Sequence, residues 1–268
     1  MKEVVAAALA EDLGPLGDLT AALLPANATG DAVIVPRNDG VLAGCAAAHE
    51  AFAQVDTRVA VAWTSSDGDR VRAGDAVARV VGPLASILTA ERTALNFLSH
   101  LSGIATLTRR YVDAAGGRVA IRDTRKTTPG LRSLEKAAVR AGGGVNHRGN
   151  LSDGILVKDN HLAGLSIGYA VATARRLWPG RTVQVECDDV DQLEQALTAG
   201  ADLVLLDNMS PAQVRECVEL VAKRCLVEVS GGVTLGTVDD YAGTGADLIA
   251  IGALTHSAPI LDIGLDLC

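Results

Sequence analysis

The chain has 268 residues, 49% of them hydrophobic and 21% charged, with a formal net charge of -8. That supports one large domain or a large and a small one, and excludes a disordered chain. An acidic balance with 3% aromatics argues against nucleic acid, which calls for a basic face and stacking rings.

No run reaches the roughly 20 apolar residues of a membrane helix. The start, MKEVVAAALAEDLG, holds a short apolar run followed at once by Glu11 and Asp12. It predicts an opening helix rather than a signal peptide. Cys45, Cys187, Cys217, Cys225 and Cys268 are scattered and lack a C-x-x-C pair. No disulfide framework or zinc site is expected, and a reducing cytoplasm is the default.

The first hundred residues alternate turn signals with short β-type runs. DAVIVPRNDGVLAG reads as strand, turn, strand, with Asn38-Asp39-Gly40 as the turn. AAAHEAFAQV reads as a helix, and VAVAWTSSDGDRVRAGDAVARVVG as two or three strands broken at glycines. The pattern is that of a small α+β sandwich. A biotinyl or lipoyl carrier domain has similar hairpins but needs a lysine at its tip, and none occurs between Lys2 and Lys126.

A long helical pattern follows, with Leu88, Leu95, Leu98, Leu101 and Ile104 at helical spacing. Gly103 is placed to bend or split it, and Gly116-Gly117 to end it.

Beyond residue 117 the chain changes character. Apolar runs close in turn on Arg125 and Lys126, on Lys158, on Glu186, on Asp207, on Ser230 and on Gly252. From Lys158 onward the steps are 28, 21, 23 and 22 residues, each long enough for one helix. AGADLVLLD and TGADLIAIG repeat one device 45 residues apart. Apolar strands alternating with helices predict parallel strands covered by helices. An α/β barrel of about six strands is the first reading, and a doubly wound open sheet the alternative. The barrel brings the strand ends to one face.

Those ends carry chemistry. Eight of the 24 basic residues lie between Arg122 and Lys158, against three acids. Arg125, Lys126, His147, Arg148 and Lys158 form a cationic set suited to a substrate with several anionic groups. Glu186 and Asp207 suggest oxygen ligands for Mg2+ beside a polyphosphate. Ser230-Gly231-Gly232 and Gly252-Ala253 offer backbone N–H groups as a phosphate cradle. Taken singly, each has a bland reading. The glycines could make ordinary turns, the acids could be caps, and AGGGVNHRGN could be a plain loop. His49 and His100 sit on helical patterns and read as structural. The joint occurrence at βα spacing is what favours a site. A Schiff-base lysine at Lys158 is a competing reading, but it leaves the arginines unexplained. A non-catalytic sensor should have lost one of the charged sets.

RDTRKTTPGLR, EKAAVRAGGGVNHRGNLSDGILVKDNH, VECDD, LLDNMSP, EVSGGV and IGALTHS resemble the carboxylating nicotinate-nucleotide pyrophosphorylases, the quinolinate phosphoribosyltransferases. The likeness runs in order along nearly the whole chain and includes EDLGPLGDLT, RNDGVLAG and ERTALNFLSHLSGIAT. Ala137 departs from a position where a tyrosine is as often expected. The resemblance implies an open-faced α+β sandwich over residues 1–104 and an incomplete α/β barrel over 105–255, while the apolar, strand-like PILDIGLDLC predicts a tail, 256–268, packing back on the small domain. It implies that quinolinate and 5-phosphoribosyl-1-pyrophosphate give nicotinate mononucleotide, pyrophosphate and CO2, with Mg2+. It places Arg125, His147, Arg148 and Lys158 on the two quinolinate carboxylates and Lys126 towards pyrophosphate. Glu186 and Asp207 fall on Mg2+ or the ribose hydroxyls, and Ser230, Gly231, Gly232, Gly252 and His256 on phosphate. Lys158 is set beside the departing carboxylate. A cytoplasmic homodimer is implied, with Arg92 contributed by the partner subunit and higher assembly left open. No membrane or nucleic-acid partner is implied.

Overall fold

The structure, a computed structural model, describes residues 1–268. In chain order it forms α1 (Lys2–Leu13), β1 (Thr29–Pro36), β2 (Gly40–Val41), α2 (Cys45–Val55), β3 (Ala60–Trp63), β4 (Arg70–Val71), β5 (Ala78–Pro83) and α3 (Leu84–Ala115). Next come β6 (Ala120–Arg122), α4 (Arg132–Ala141), β7 (Ile155–Val157), α5 (Ile167–Leu177), β8 (Val183–Cys187), α6 (Val190–Thr198), β9 (Leu203–Asp207) and α7 (Pro211–Val221). The last are β10 (Leu226–Ser230), α8 (Val238–Ala242), β11 (Leu248–Ala250), α9 (Ala253–His256) and β12 (Ile263–Leu267). No helix is long and apolar enough to cross a membrane.

The chain forms two units. One comprises Met1–Arg109, Thr127–Gly143 and Leu254–Cys268, the other Arg110–Lys126 and Gly144–Ala253. The boundaries at 104 and 255 expected from sequence leave α4 with the barrel, whereas its contacts group it with the first unit. Buried Glu135 of α4 meets His100 of α3 at 2.9 Å. A side chain at Gly142 would fall 2.5 Å from the Ala105 carbonyl of α3.

The first unit is built on an antiparallel sheet in the order β12-β1-β5-β3. Buried positions alternate along β1 and β5, so one face carries the core and the other is more open. Ile34 and Val80 of this sheet pack with Phe52 of α2 and Ile87 and Leu98 of α3. The tail strand β12 pairs with β1, Ile34 opposite Leu265.

Two local expectations change here. Asn38-Asp39-Gly40 does not close a hairpin, because β2 pairs with β4 and β1 pairs with β5 and β12. The Asp39 carboxylate instead accepts from the Ala73 amide at 2.9 Å, tying that turn to the distant strand. Gly103 neither bends nor splits α3, which runs unbroken through it. Its purpose is close approach: an added Cβ would lie 2.2 Å from the Pro259 carbonyl oxygen.

The second unit is a six-stranded parallel sheet in the order β6-β11-β10-β9-β8-β7. The end strands β6 and β7 do not pair with each other, so the barrel is incomplete. Val183, Val185, Val204, Leu206, Val227, Val229 and Ile249 form the buried row that the helices cover. The alternate row, including Gln184, Glu186, Leu205, Asp207, Glu228 and Ser230, turns the other way and lines cavities. Three helices start on side-chain caps. Ser166 accepts from the Tyr169 amide at 3.2 Å, Asp189 from Gln192 at 2.8 Å and Ser210 from Gln213 at 3.4 Å. Each cap is worth about 1 kcal/mol.

The repeated GAD has a reason that spacing did not disclose. Asp202 accepts from the first amide of β8, Val183, at 2.8 Å. Asp247 does the same for Val227 near the start of β10, also at 2.8 Å. Each aspartate therefore satisfies a strand-start donor in a neighbouring strand.

Candidate active site

A cavity of about 380 Å³ opens at the carboxyl ends of these strands. Arg125, Lys126, His147, Arg148 and Lys158 line one part of it, with Glu186, Asp207, Glu228 and Ser230. The six-strand order explains the meeting. Inward positions at the ends of parallel strands share one mouth, although the residues span more than a hundred positions in sequence.

The cations are held from below. Arg148 donates through Nη1 to the Gly154 carbonyl at 3.0 Å, while its Nε is buried without a hydrogen-bond partner. Burial, and after it the neighbouring Arg125, push the Arg148 pKa below its ordinary value. Two guanidiniums placed so close favour an anion between or beside them. His147 sits on a segment fixed by wholly buried Asp123, whose carboxylate accepts from the His147 amide at 2.8 Å and from Asn146 Nδ2 at 2.5 Å. The His147 ring accepts at Nδ1 from the Arg148 amide at 2.8 Å, so its ring proton sits on Nε2.

Lys158 directly follows β7 and pairs with Glu186 of β8. That pairing occupies the amine that the Schiff-base reading needs to be free for a carbonyl. Its amide donates to His161 Nδ1 at 3.0 Å. Asp207 accepts from Asn208 at 2.7 Å. Gly231 must be glycine for a packing reason, since an added Cβ would fall 2.2 Å from Asn208 Oδ1, at a φ of +93°. At Gly232 the space is open.

The remaining expected residues stand elsewhere. Gly252 follows β11 and is half-buried. His256 belongs to the first unit, is exposed, and its Nδ1 lies 2.6 Å from Ser257 Oγ. Arg92 is exposed on α3, also in the first unit. Of the basic cluster, Arg132, Lys136 and Arg140 lie on α4, in the first unit.

Sequence reading missed a buried polar layer beneath the cavity. Arg122 of β6, Gln184 of β8 and Glu228 of β10 come from alternate strands and meet inside the sheet. Glu228 Oε2 accepts from Arg122 Nη1 and from Gln184 Nε2, both at 2.8 Å. Arg122 also donates to the Asn146 carbonyl at 3.2 Å, which ties the layer to the His147 segment. The available signal was a charge or amide set within otherwise apolar strands: LVEVS, VQVE and AIRD. A larger groove of about 620 Å³ lies at α5, but Leu151, Leu165, Tyr169, Leu177 and Trp178 make it mainly apolar, with Arg148 and Arg181 as its cations.

Residues 18–102 match the family model for the quinolinate phosphoribosyl transferase N-terminal domain, and residues 104–266 the C-terminal domain. The chain is 42% identical over 259 residues to a probable carboxylating nicotinate-nucleotide pyrophosphorylase of Bacillus subtilis, covering 96% of this chain and 89% of that one. It is 45% identical over 276 residues to the Mycobacterium leprae carboxylating nicotinate-nucleotide pyrophosphorylase, with 99% and 96% covered. The solved nicotinate-nucleotide pyrophosphorylase of Francisella tularensis superposes with a TM-score of 0.97 at 38% identity, covering 100% of this chain and 95% of that one. On sequence, domain order and fold together, the chain belongs to the quinolinate phosphoribosyltransferase family.

Proposed function

We propose that the chain transfers the phosphoribosyl group of 5-phosphoribosyl-1-pyrophosphate to quinolinate. Decarboxylation then gives nicotinate mononucleotide, pyrophosphate and CO2, a step of NAD biosynthesis. One observation carries this reading: an acidic protein gathers Arg125, Lys126, His147, Arg148 and Lys158 at one cavity beside Glu186 and Asp207.

Quinolinate is a dicarboxylate. Arg125, Arg148 and Lys158 supply charge for its carboxylates, and His147 supplies an Nε2–H donor. This clamp fixes which face of the ribose the pyridine nitrogen attacks, and alignment of that kind removes a large part of the barrel-bound reaction's entropic barrier. Lys126 faces the pyrophosphate side, where charge grows as the C1–O bond breaks. Ser230, Gly231, Gly232 and Gly252 offer backbone N–H groups to phosphate. His256 joins them on family likeness alone. Once its nitrogen is quaternary, the pyridine ring stabilises the electron pair left on C2 when CO2 departs. Lys158 stands beside that carboxylate, and no covalent nucleophile is needed.

Glu186 lies one residue before the end of β8 and Asp207 ends the adjacent β9, and no third His, Cys, Asp or Glu makes a closed cage with them. Such a pair fits Mg2+, which commonly takes one or two carboxylates and completes its shell with substrate phosphates and water. Bound there, the ion supplies charge neutralisation to the leaving pyrophosphate.

The proposal includes a cytoplasmic homodimer in which Arg92 of one subunit completes the cavity of the other. The exposure of Arg92 and the five free cysteines support it. Incubation with Mg2+, phosphoribosyl pyrophosphate and either quinolinate or nicotinate tests the reaction. CO2 and nucleotide from quinolinate, with no nucleotide from nicotinate, is the expected result, and the reverse preference overturns it. Mixing inactive Arg92→Ala and Lys158→Ala proteins under subunit exchange should restore activity. No recovery, with exchange verified, would remove the shared site.

A further inference from the structure

We infer that Glu228 takes up a proton when the dicarboxylate binds, and then donates a hydrogen bond from Oε1 to one substrate carboxylate. The inference rests on the function proposed above.

Glu228 is wholly buried, yet it lines the cavity. Its two oxygens differ. Oε2 is committed to Arg122 and Gln184. Oε1 is buried and has no hydrogen-bond partner, and His147 Nε2 stands 3.8 Å from it. A buried acceptor without a donor is costly, and an anion brought beside it adds like-charge repulsion. Protonation removes both costs, because Oε1 then becomes the donor that the incoming carboxylate accepts. The step is balanced: one proton leaves solvent, one O–H bond forms, and no electron moves.

The surrounding groups leave Glu228 as the acceptor of that proton. Arg122 faces it from β6, with Asp123 just beyond, Gln184 from β8, and His147 from the segment after α4. His147 cannot take the proton at Nδ1 without breaking its bond from the Arg148 amide. Around the cavity, Arg125 and Arg148 line the wall, and Glu186 is already paired with Lys158. Burial pushes the Glu228 carboxyl above the ordinary carboxylate range, with Arg122 opposing. The proton is therefore nearer to hand here than on an exposed acid.

Calorimetric titration of quinolinate into the full chain, in two buffers of different ionisation enthalpy, reads the proton directly. Wild type should take up a proton. Its affinity should fall by up to about tenfold per pH unit as pH rises through the Glu228 titration. Glu228→Gln, which keeps the shape and is permanently neutral, should take up none and bind with a flat pH profile. The infrared difference spectrum of wild type on adding quinolinate should gain a carboxylic-acid band, a measurement that needs no variant to fold. Equal proton uptake by Glu228→Gln and wild type would overturn the inference. So would wild-type binding without uptake, or uptake without the acid band, and in each of these the proposed function stands. A wild type that binds no quinolinate sinks that function and the inference with it.

Discussion

The six-stranded sheet lines two cavities, both bordered by His147 and Arg148, one at each end of its strands. At their carboxyl ends the inward row closes on Lys158, Glu186, Asp207 and Ser230, with Arg125, His147 and Arg148 on the loops above. At the opposite end the row begins with Leu203, Leu226 and Leu248 around a cavity of about 500 Å³. Arg122, Gln184 and Glu228 form the layer between. Two residues along β10 separate Leu226 from Glu228 and Glu228 from Ser230, so the inward row of that strand runs from a half-exposed leucine through a buried acid to a polar end. The difference teaches that charge is tolerated inside this sheet where the strand is about to end. There the loops supply partners and a ligand can complete them.

Substitutions at the two ends should therefore act on different observables. The largest effect is expected from Lys158→Ala at the carboxyl end. It removes a cation from the departing carboxylate and leaves Glu186 without its partner. Turnover should fall by about 10²–10³-fold, the range seen when one preorganised group aimed at developing charge is removed. The melting temperature should hardly move. Near-normal turnover would end the proposed role of Lys158.

Leu203→Ala at the opposite end should show the reverse. Leu203 is buried and starts β9. The truncation should cost about 2–3 kcal/mol, the lower part of the Leu→Ala range, because the side chain already borders a cavity. Thermal unfolding should shift down by roughly 5–10 °C. The KM for quinolinate should be unchanged. A raised KM with an unchanged melting temperature would merge the two ends into one functional region.

How far this contrast could be read from sequence depends on the range of the contact behind each feature. The period-two rows and the polar ends of the strands are local, and they placed Lys158, Glu186, Asp207 and Ser230 together. Pairing partners are not local. Nothing within DAVIVPRNDGVLAG says that β2 will join β4 while β1 joins the tail strand β12. Gly103 looks like a helix weakness until Pro259 is known to press against it. Nothing in LVEVS singles out Glu228, because Arg122 and Gln184, its partners, lie 106 and 44 residues away.

A smaller effect on binding is expected from Arg148→Ala. Its buried, unmatched Nε and its closeness to Arg125 suit it to a carboxylate. A charge-assisted hydrogen bond is worth about 1.5–3 kcal/mol. The quinolinate KM should therefore rise by roughly 10–150-fold, with a smaller change in kcat. Equal losses in kcat and kcat/KM would assign Arg148 to the transition state alone. Arg148→Lys should rescue little, since a point charge cannot reproduce the guanidinium fork.

The smallest effect tests whether the contrast extends to how the strands begin. Asp202→Ala and Asp247→Ala each remove a carboxylate that accepts from a strand-start amide, Val183 in one case and Val227 in the other. Both should destabilise by about 1 kcal/mol, the worth of one hydrogen bond plus part of the exposed donor's cost. They should leave quinolinate and phosphoribosyl pyrophosphate kinetics unchanged. Asp202 also pairs with Arg175 at 2.8 Å, but both side chains are well exposed, so that pair adds little. The two variants should thus match within a few tenths of a kcal/mol by denaturant unfolding. A much larger loss for Asp247→Ala would trace to its place before β11, whose Ile249 pairs with Val229 beside the Glu228 layer. Since Val183 stands beside Gln184 as Val227 stands beside Glu228, a difference that large would mark Glu228 as the member on which the floor of the site depends.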